Sequence, residues 1–558
     1  MRLKIKKIHQ IGKKWTRSVL ILFLAMCGRI EAAKFLFDAT KAEMAANADW
    51  VIDADNYNLN VTSGNGSGRV MSSSSYDSNP QRFPSPFQSG ITSSTLETYW
   101  QGALSSWAVD LVKAGHQIET LPYNGKITYR DSTNEQDLSN YDVFVLVEPN
   151  ILFTPAEKTA LISYVKNGGG LLMVADHGHL TGGTGSDRNN DGADSADVLN
   201  DLMNNSVQNN PFGVSFNGDE ISGTFTYMNT ISSDPLIRGA AGTVNNIKFN
   251  VGSNITINTS QNASVTIAIW SSSSRSTSTG VVAYGSYGSG RFAAFGDSSP
   301  FDDGTGDTGD TLYSSYNLSS YGNSKVILNA SFWLAEKPPE VTTGTAVVVG
   351  TNSATLNGVL NPNGLSTTAK FLYGTTTNYG SVMNVSGTFS GTNATNVSVG
   401  LTGLSAGMTY HYALVATNSG GSAQGADQSF TTWTALQAWR QQWFGTTDNS
   451  GSAADTYVSG GDGLSNLMKY ALGLNPLVFN SNPISFSLSG NSLTMTVPRS
   501  SSSTGITYFL ESTEDLTGVW SSSSVVIDLN TPTLLKGHDI NPVSGTSRRF
   551  MRLRVTQP

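Results

Sequence analysis

Val143-Phe144-Val145-Leu146-Val147 narrows the folding options of this chain more than any other stretch. Five apolar residues in succession leave no polar face, so a strand built from them must be covered on both sides. It ends at Glu148-Pro149. Thr154-Pro155-Ala156-Glu157 then opens a helix, with an N-cap hydroxyl, proline at the first helical position and an acid at the third. That helix runs through Leu161, Ile162 and Val165 to Gly168-Gly169-Gly170, and Leu171-Leu172-Met173-Val174-Ala175 follows as a second doubly covered strand. Upstream, Lys34–Asp38 is a short apolar strand ending in an acid. Ser94 and Glu97 form a capping-box pair, which predicts a helix with Tyr99, Trp100, Ala103, Leu104, Trp107, Leu111 and Val112 on its apolar face. Gly115 closes that helix, and Gln117–Leu121 is the next strand. Strand, helix and strand joined by short links predict an α/β doubly wound, flavodoxin-like domain around a parallel sheet. Gly290–Phe295, running into Gly296-Asp297, and an amphipathic helix over Lys325–Glu336 complete it before a linker at Pro338-Pro339.

At 558 residues the chain exceeds what one core supports, and several domains are expected. Residues 1–33 read as a signal peptide. Arg2, Lys4, Lys6, Lys7, Lys13, Lys14 and Arg17 precede a short apolar run, Val19 to Cys27, with small residues at Ala32 and Ala33. The run is too short to span a bilayer, so the expectation is a protein secreted or held at the cell surface, with no integral membrane segment in the mature chain. Loss of the leader makes the formal balance more negative than −8. Such a charge argues against nucleic acid as partner, since phosphate needs Lys and Arg to neutralise it. Cys27 is the single cysteine and lies inside the leader, so the mature chain has no disulfide partner and no thiolate.

Tyr164-Val165-Lys166-Asn167-Gly168-Gly169-Gly170 with the apolar strand after it, and the late Tyr287-Gly288-Ser289-Gly290-Arg291-Phe292 strand ending at Gly296-Asp297, carry a resemblance. Residues 34–337 resemble the class I glutamine amidotransferase-like domains, the trehalose-utilisation type among them. Those domains place a nucleophilic cysteine at a strand-to-helix elbow. This chain has none there, so amidotransfer is not implied, and the fold by itself transfers no activity.

Residues 338–433 resemble a fibronectin type III domain. Ala354 to Gly364, Phe371 to Gly374 and Leu404 to Tyr410 are short alternating strands between turns, and Leu404 with Tyr410 fits the tyrosine-corner spacing. Residues 434–478 read as a helical connector. Within it, Gly461 to Gly473 resembles the calcium-type repeat of large secreted bacterial proteins, with Val458, Gly460 and Lys469 standing where ligands are expected. An ammonium cannot ligate calcium, so this site reads as decayed. Residues 479–558 read as a C-terminal β-rich domain, a second small β-sandwich.

Ligands of open α/β sheets bind beyond the carboxyl ends of the strands. Asp38, Glu148, Asp176-His177-Gly178-His179 and Asp297 stand there, with Asp302 and Asp303 just after. Imidazole beside carboxylate suits zinc or manganese with an activated water, or a metal-free base, His177 or His179, oriented by Asp176 or Asp297. Asp187, Asn189, Asp191, Asp194 and Asp197 resemble the opening of an EF-hand-like calcium loop, whose last acid falls one place early; the alternative is a turn capping the helix that follows. A secreted hydrolase acting on an extracellular polysaccharide or other polymer is one expectation. A calcium-stiffened, non-catalytic protein that binds carbohydrate or organises a surface is the other.

Overall fold

The computed structural model describes residues 32–45, 48–53, 61–62, 70–71, 81–178, 193–204, 209–305, 313–348, 350–545 and 548–557. The leader up to residue 31 lies outside them. Strand dominates the regular structure, with a few helices between.

The large sheet of residues 34–337 contains β1 (Lys34–Asp38), β2 (Gln117–Leu121), β3 (Val143–Val147), β4 (Gly170–Val174), β5 (Thr266–Trp270), β6 (Gly280–Tyr287) and β7 (Gly290–Phe295). Their spatial order is β5-β6-β7-β4-β3-β1-β2. The neighbours from β7 to β2 are parallel, whereas β5, β6 and β7 pair antiparallel. The sheet is therefore mixed rather than purely parallel, because residues 209–287 return as hairpin-like strands that the sequence pattern did not announce.

Alternation within the parallel core explains its continuous apolar runs. Phe35, Phe37, Val143, Val145, Val147, Leu172 and Val174 face one core together with residues of α1 (Ser105–Lys113) and α4 (Asn323–Ala335). Leu36, Phe144, Leu146, Leu171 and Met173 face the other, against α2 (Pro155–Lys166) and α3 (Ser195–Met203). Each fully buried Val, Leu, Ile or Phe contributes about 1.5–3 kcal/mol. The Thr154 capping box opens α2 as its residues dictate.

The helix expected from Ser94 begins instead at Ser105. Glu97–Tyr99 makes only a short 3-10 turn, and the Glu97 carboxylate pairs with Lys113 Nζ at 3.3 Å. Leu104 N–H donates to Val51 O at 3.0 Å, and a Cβ at Gly102 would stand 2.5 Å from that oxygen. Residues 102–104 are thus pressed against another backbone segment, and a helix forms only beyond them. Its cap comes from far along the chain: Ser106 N–H donates to Asp303 Oδ2 at 2.5 Å. Asp303 also accepts from Thr305 N at 2.7 Å and Thr305 Oγ1 at 2.6 Å.

Residues 338–433 form a fibronectin type III-like β-sandwich. Glu340–Thr343, Ala354–Asn361 and Thr395–Leu401 lie in one sheet; Thr368–Gly374, Ser381–Asn384, Thr409–Asn418, Gly421–Gln424 and Gln428–Thr431 lie in the other. Leu356, Leu360, Phe371, Tyr412, Leu414 and Phe430 pack between them. Tyr410 Oη accepts from Ser405 N at 3.0 Å, which is the expected corner tie. Arg291, buried on β7, joins this module to the first: it donates to Trp333 O, to Glu336 Oε2 at 2.9 Å and to Ser419 O.

The remainder holds α5 (Ala435–Phe444), α6 (Asn466–Leu472), β8 (Ser485–Ser489), β9 (Ser492–Pro498), β10 (Thr507–Thr513), β11 (Val525–Asn530), β12 (Leu534–Asp539) and β13 (Phe550–Thr556). A sheet in the order β8-β9-β12-β11 packs with the β10–β13 pair. Leu472 of α6 shares one core with Met495, Val497, Leu510, Leu535 and Met551, and Tyr508 Oη donates to Ala471 O at 2.8 Å. Segments 434–478 and 479–558 therefore pack as one body.

Replacing Asp303 by Ala should lower stability by about 0.5–2 kcal/mol, the cost of a lost helix cap, in denaturant unfolding. Asp303→Asn, which keeps an acceptor, should cost less. Equal losses would show that charge rather than capping matters at this position.

Candidate functional site

Because both faces of the parallel core are filled, polar side chains of β1, β3, β4 and β7 gather beyond their carboxyl ends. At the end of β3, Glu148 adopts a left-handed backbone, φ 50°, unusual for a residue with a side chain. The turn is pinned from several sides. Glu148 N donates to Val174 O at 2.8 Å, and its buried carboxylate accepts from Trp50 Nε1 and Ser298 Oγ, each at 2.7 Å. Asn150 closes the same turn, with Nδ2 donating to Glu148 O at 2.9 Å and to Ala42 O at 2.8 Å.

Beside it, Asp38 at the end of β1 and Glu43 are both buried. Burial pushes Asp38 up, partly opposed by its hydrogen bond with Glu43 and by Lys41. Burial, reinforced by the Asp38 charge, holds Glu43 well above the usual carboxyl range, so ionising both acids together is disfavoured. Lys41 turns to Glu157 instead, at 2.8 Å.

The second group follows β4 and β7. Asp176 N donates to Ser195 Oγ at 2.9 Å, and Asp176 Oδ2 lies 3.7 Å from His177 Nε2. Asp297 is fully buried and accepts from Ser299 N at 2.7 Å, Ser299 Oγ at 2.8 Å and Asn250 N at 2.9 Å. Burial and then the charge of Asp176 raise Asp297 well above an ordinary carboxyl. The structure thus brings Asp176, His177 and Asp297 together. Of these, His177 is the most open to solvent, its side chain 20% exposed. Gly178 must be glycine here: a Cβ would stand 2.7 Å from Asp194 Oδ2 and 2.8 Å from Gly218 Cα.

Tyr313 lies over the same end of the sheet. Its phenol is raised by burial and then by Asp297, Asp176, Asp302 and Glu148, so four acids from three chain segments act on one hydroxyl. Its backbone N–H donates to Asp302 Oδ2 at 2.7 Å.

His179, Asp187, Asn189 and Asp191 lie outside the described residues, as do residues 306–312. Asp194 is the N-cap of α3, with its side chain accepting from Asp197 N at 3.0 Å; Asp197 itself is exposed in the first turn. Asp302 and Asp303 accept from the backbone amides of Gly304 and Ser106, while Ser298 Oγ donates to Glu148 and Ser299 N to Asp297. Among the described residues no three His, Cys, Asp or Glu side chains converge as a metal-holding set. At the repeat in 461–473, Lys469 Nζ lies 2.9 Å from Asp462 Oδ2 and donates to Ser459 O at 2.7 Å, with both side chains of the ion pair inaccessible. Burial works to raise Asp462, but the ammonium and the Leu464 and Asn480 amides hold it well below the usual range. Trp50, Glu43 and Tyr313 escaped the sequence reading. Only Asp302 and Asp303, shortly before Tyr313 in the chain, hinted at its place.

No known family matches the chain, no curated protein matches it, and no family match supports an amidotransferase-like assignment for 34–337. Among solved structures, the sensor domain of the anti-sigma factor RsgI4 of Pseudobacteroides cellulosolvens is similar over 18% of this chain and 97% of its own, at 21% identity and TM-score 0.15. The mmIFT52 N-terminal domain is similar over 41% of this chain and 88% of its own, at 16% identity and TM-score 0.28. The fibronectin type III domain of human KIAA0970 is similar over 17% of this chain and 73% of its own, at 18% identity and TM-score 0.13. The fibronectin-like character of 338–433 stands on its own strand pairing. No helix among the described residues is long and apolar enough to cross a membrane.

Asp297 and Glu43 have raised values in the folded state, so their stabilising contribution is full below the ordinary carboxyl range and is lost as pH rises through the folded value. The melting temperature should therefore fall as pH rises above the ordinary carboxyl range, about pH 4, and Asp297→Asn should flatten that slope. An unchanged slope would mean that Asp297 titrates normally. For the C-terminal body, Lys469→Met should lower the unfolding midpoint, while a chelator leaves its wild-type midpoint unmoved. A chelator-sensitive midpoint would mean a metal holds that loop.

Proposed function

We propose that this is an exported modular protein whose 34–337 unit hydrolyses an extracellular polymer, a glycan first among the classes, with the β modules as spacers and binding accessories. The observation that carries the reading is the grouping of His177 with Asp176 and the buried Asp297 beneath Tyr313 at the strand ends. His177 is the base: it takes a proton from water as the water oxygen bonds to the scissile carbon, and the imidazolium returns that proton to the departing oxygen. Asp176 stabilises the imidazolium, Asp297 is a positioning residue behind it, and the Tyr313 ring offers a face for a sugar. Calcium at Asp187, Asn189, Asp191, Asp194 and Asp197 belongs to this proposal as a stiffener of the loop beside His177. Zinc or manganese held by His177 and His179 would instead supply the activated water, and elemental analysis of the purified protein decides between the two.

The resemblance of 34–337 to amidotransferase-like, doubly wound domains supports a second reading. The strand-to-helix turn after β3 carries Glu148, whose carboxylate is tied to Trp50 and Ser298, so that turn presents no nucleophile. This favours a non-catalytic unit that binds carbohydrate.

Purified protein incubated with soluble polysaccharides should release reducing ends. In His177→Ala the rate should drop about 100-fold or more without loss of melting temperature. Retarded migration in polysaccharide gels without release would replace the first reading by the second, and neither effect would sink both.

A further inference from the structure

Among the described residues, strand β8 is an edge of its sheet and pairs with β9 alone. All five of its residues are exposed, Phe486 at 52% and Leu488 at 64%. Yet these two stand opposite Met495 and Leu493, and Met495 is 1% exposed in the core of the C-terminal body. Directly opposed residues share one face of an antiparallel sheet. Phe486 and Leu488 therefore continue the core face beyond the part that β10 and β13 cover.

The other edge of this sheet is guarded. Strand β11 has a register shift between Ile527 and Leu529, and Asp528 on it pairs with His538 at 2.7 Å. Charges and bulges are how natural sheets blunt an edge. Strand β8 has neither. Its register with β9 is unbroken over five pairs, and Ser-Phe-Ser-Leu-Ser contains no charge and no proline.

That sequence reads with the same polar and apolar pattern in both directions about Ser487. An antiparallel copy related by a two-fold axis at Ser487 sets Phe486 against Leu488 of the second copy, and Leu488 against its Phe486, on the same face. We propose that β8 is a self-recognition edge through which two copies of this chain join in an antiparallel, two-fold pair with one continuous sheet. Joining β8 to β11 of the next copy would build an open filament, but that edge presents the bulge and Asp528. The self-matching pattern thus selects a closed pair of identical chains.

Sedimentation velocity of the full chain over a concentration series tests this. The wild type should pass from monomer to dimer, and amides of 485–489 should gain protection from hydrogen exchange as concentration rises. Phe486→Lys and Leu488→Lys should both be monomeric. Since both side chains are exposed, their melting temperatures should stay close to the wild-type monomer's; if one fails to fold, the other decides. A wild type that remains monomeric throughout, species that grow beyond dimers, or a dimer that survives in all the variants would each overturn the proposal.

Discussion

Burial of the parallel strands on both faces governs where chemistry can sit in this protein. β3 and β4 expose no side chain along their length, so every charged group they carry is pushed past their carboxyl ends. Desolvating a carboxylate is costly unless it is hydrogen-bonded. The acids that collect there are accordingly engaged by backbone amides, hydroxyls or an indole: Glu148 by Trp50 and Ser298, Asp297 by Ser299 and Asn250, Asp303 by Ser106 and Thr305. The same groups that make a site also hold together loops that are far apart in the chain.

Crowding acids into that end has an electrostatic consequence. Neighbouring carboxyls resist ionising together in a desolvated space, and burial with a nearby charge raises both Glu43 and Asp297 well above the ordinary carboxyl range. A fully enclosed acid is a poor contact for solvent but a good support for its neighbour. Asp297 is fully enclosed, whereas His177 and Tyr313 are partly open to solvent.

The modules are joined by specific polar contacts. Arg291 reaches from β7 to the end of α4 and to the fibronectin-like module, fixing the junction with a planar, always charged donor. At the far end, the Lys469 ammonium enclosed with Asp462 and Ser459 organises the loop before α6, and that helix then completes the C-terminal core.

Much of the layout was legible in the residues themselves. The apolar runs of β1, β3, β4 and β7, the Thr154 capping box and the Tyr410 corner are local patterns, and each forms as its own residues require. So is the placement of Asp38, Glu148, Asp176 and Asp297, because a strand's direction fixes which end its last residue occupies. What the sequence could not decide depends on segments distant along the chain. The start of α1 is set by the Val51 backbone and by Asp303, across 197 positions from Ser106. The antiparallel extension of the sheet, the approach of Trp50 and Tyr313 to the acids, and the raised carboxyl of Glu43 arise only when loops close over a desolvated end. Local pattern determined the elements and their polarity; tertiary packing decided which side chains share one dielectric, and so which of them are charged.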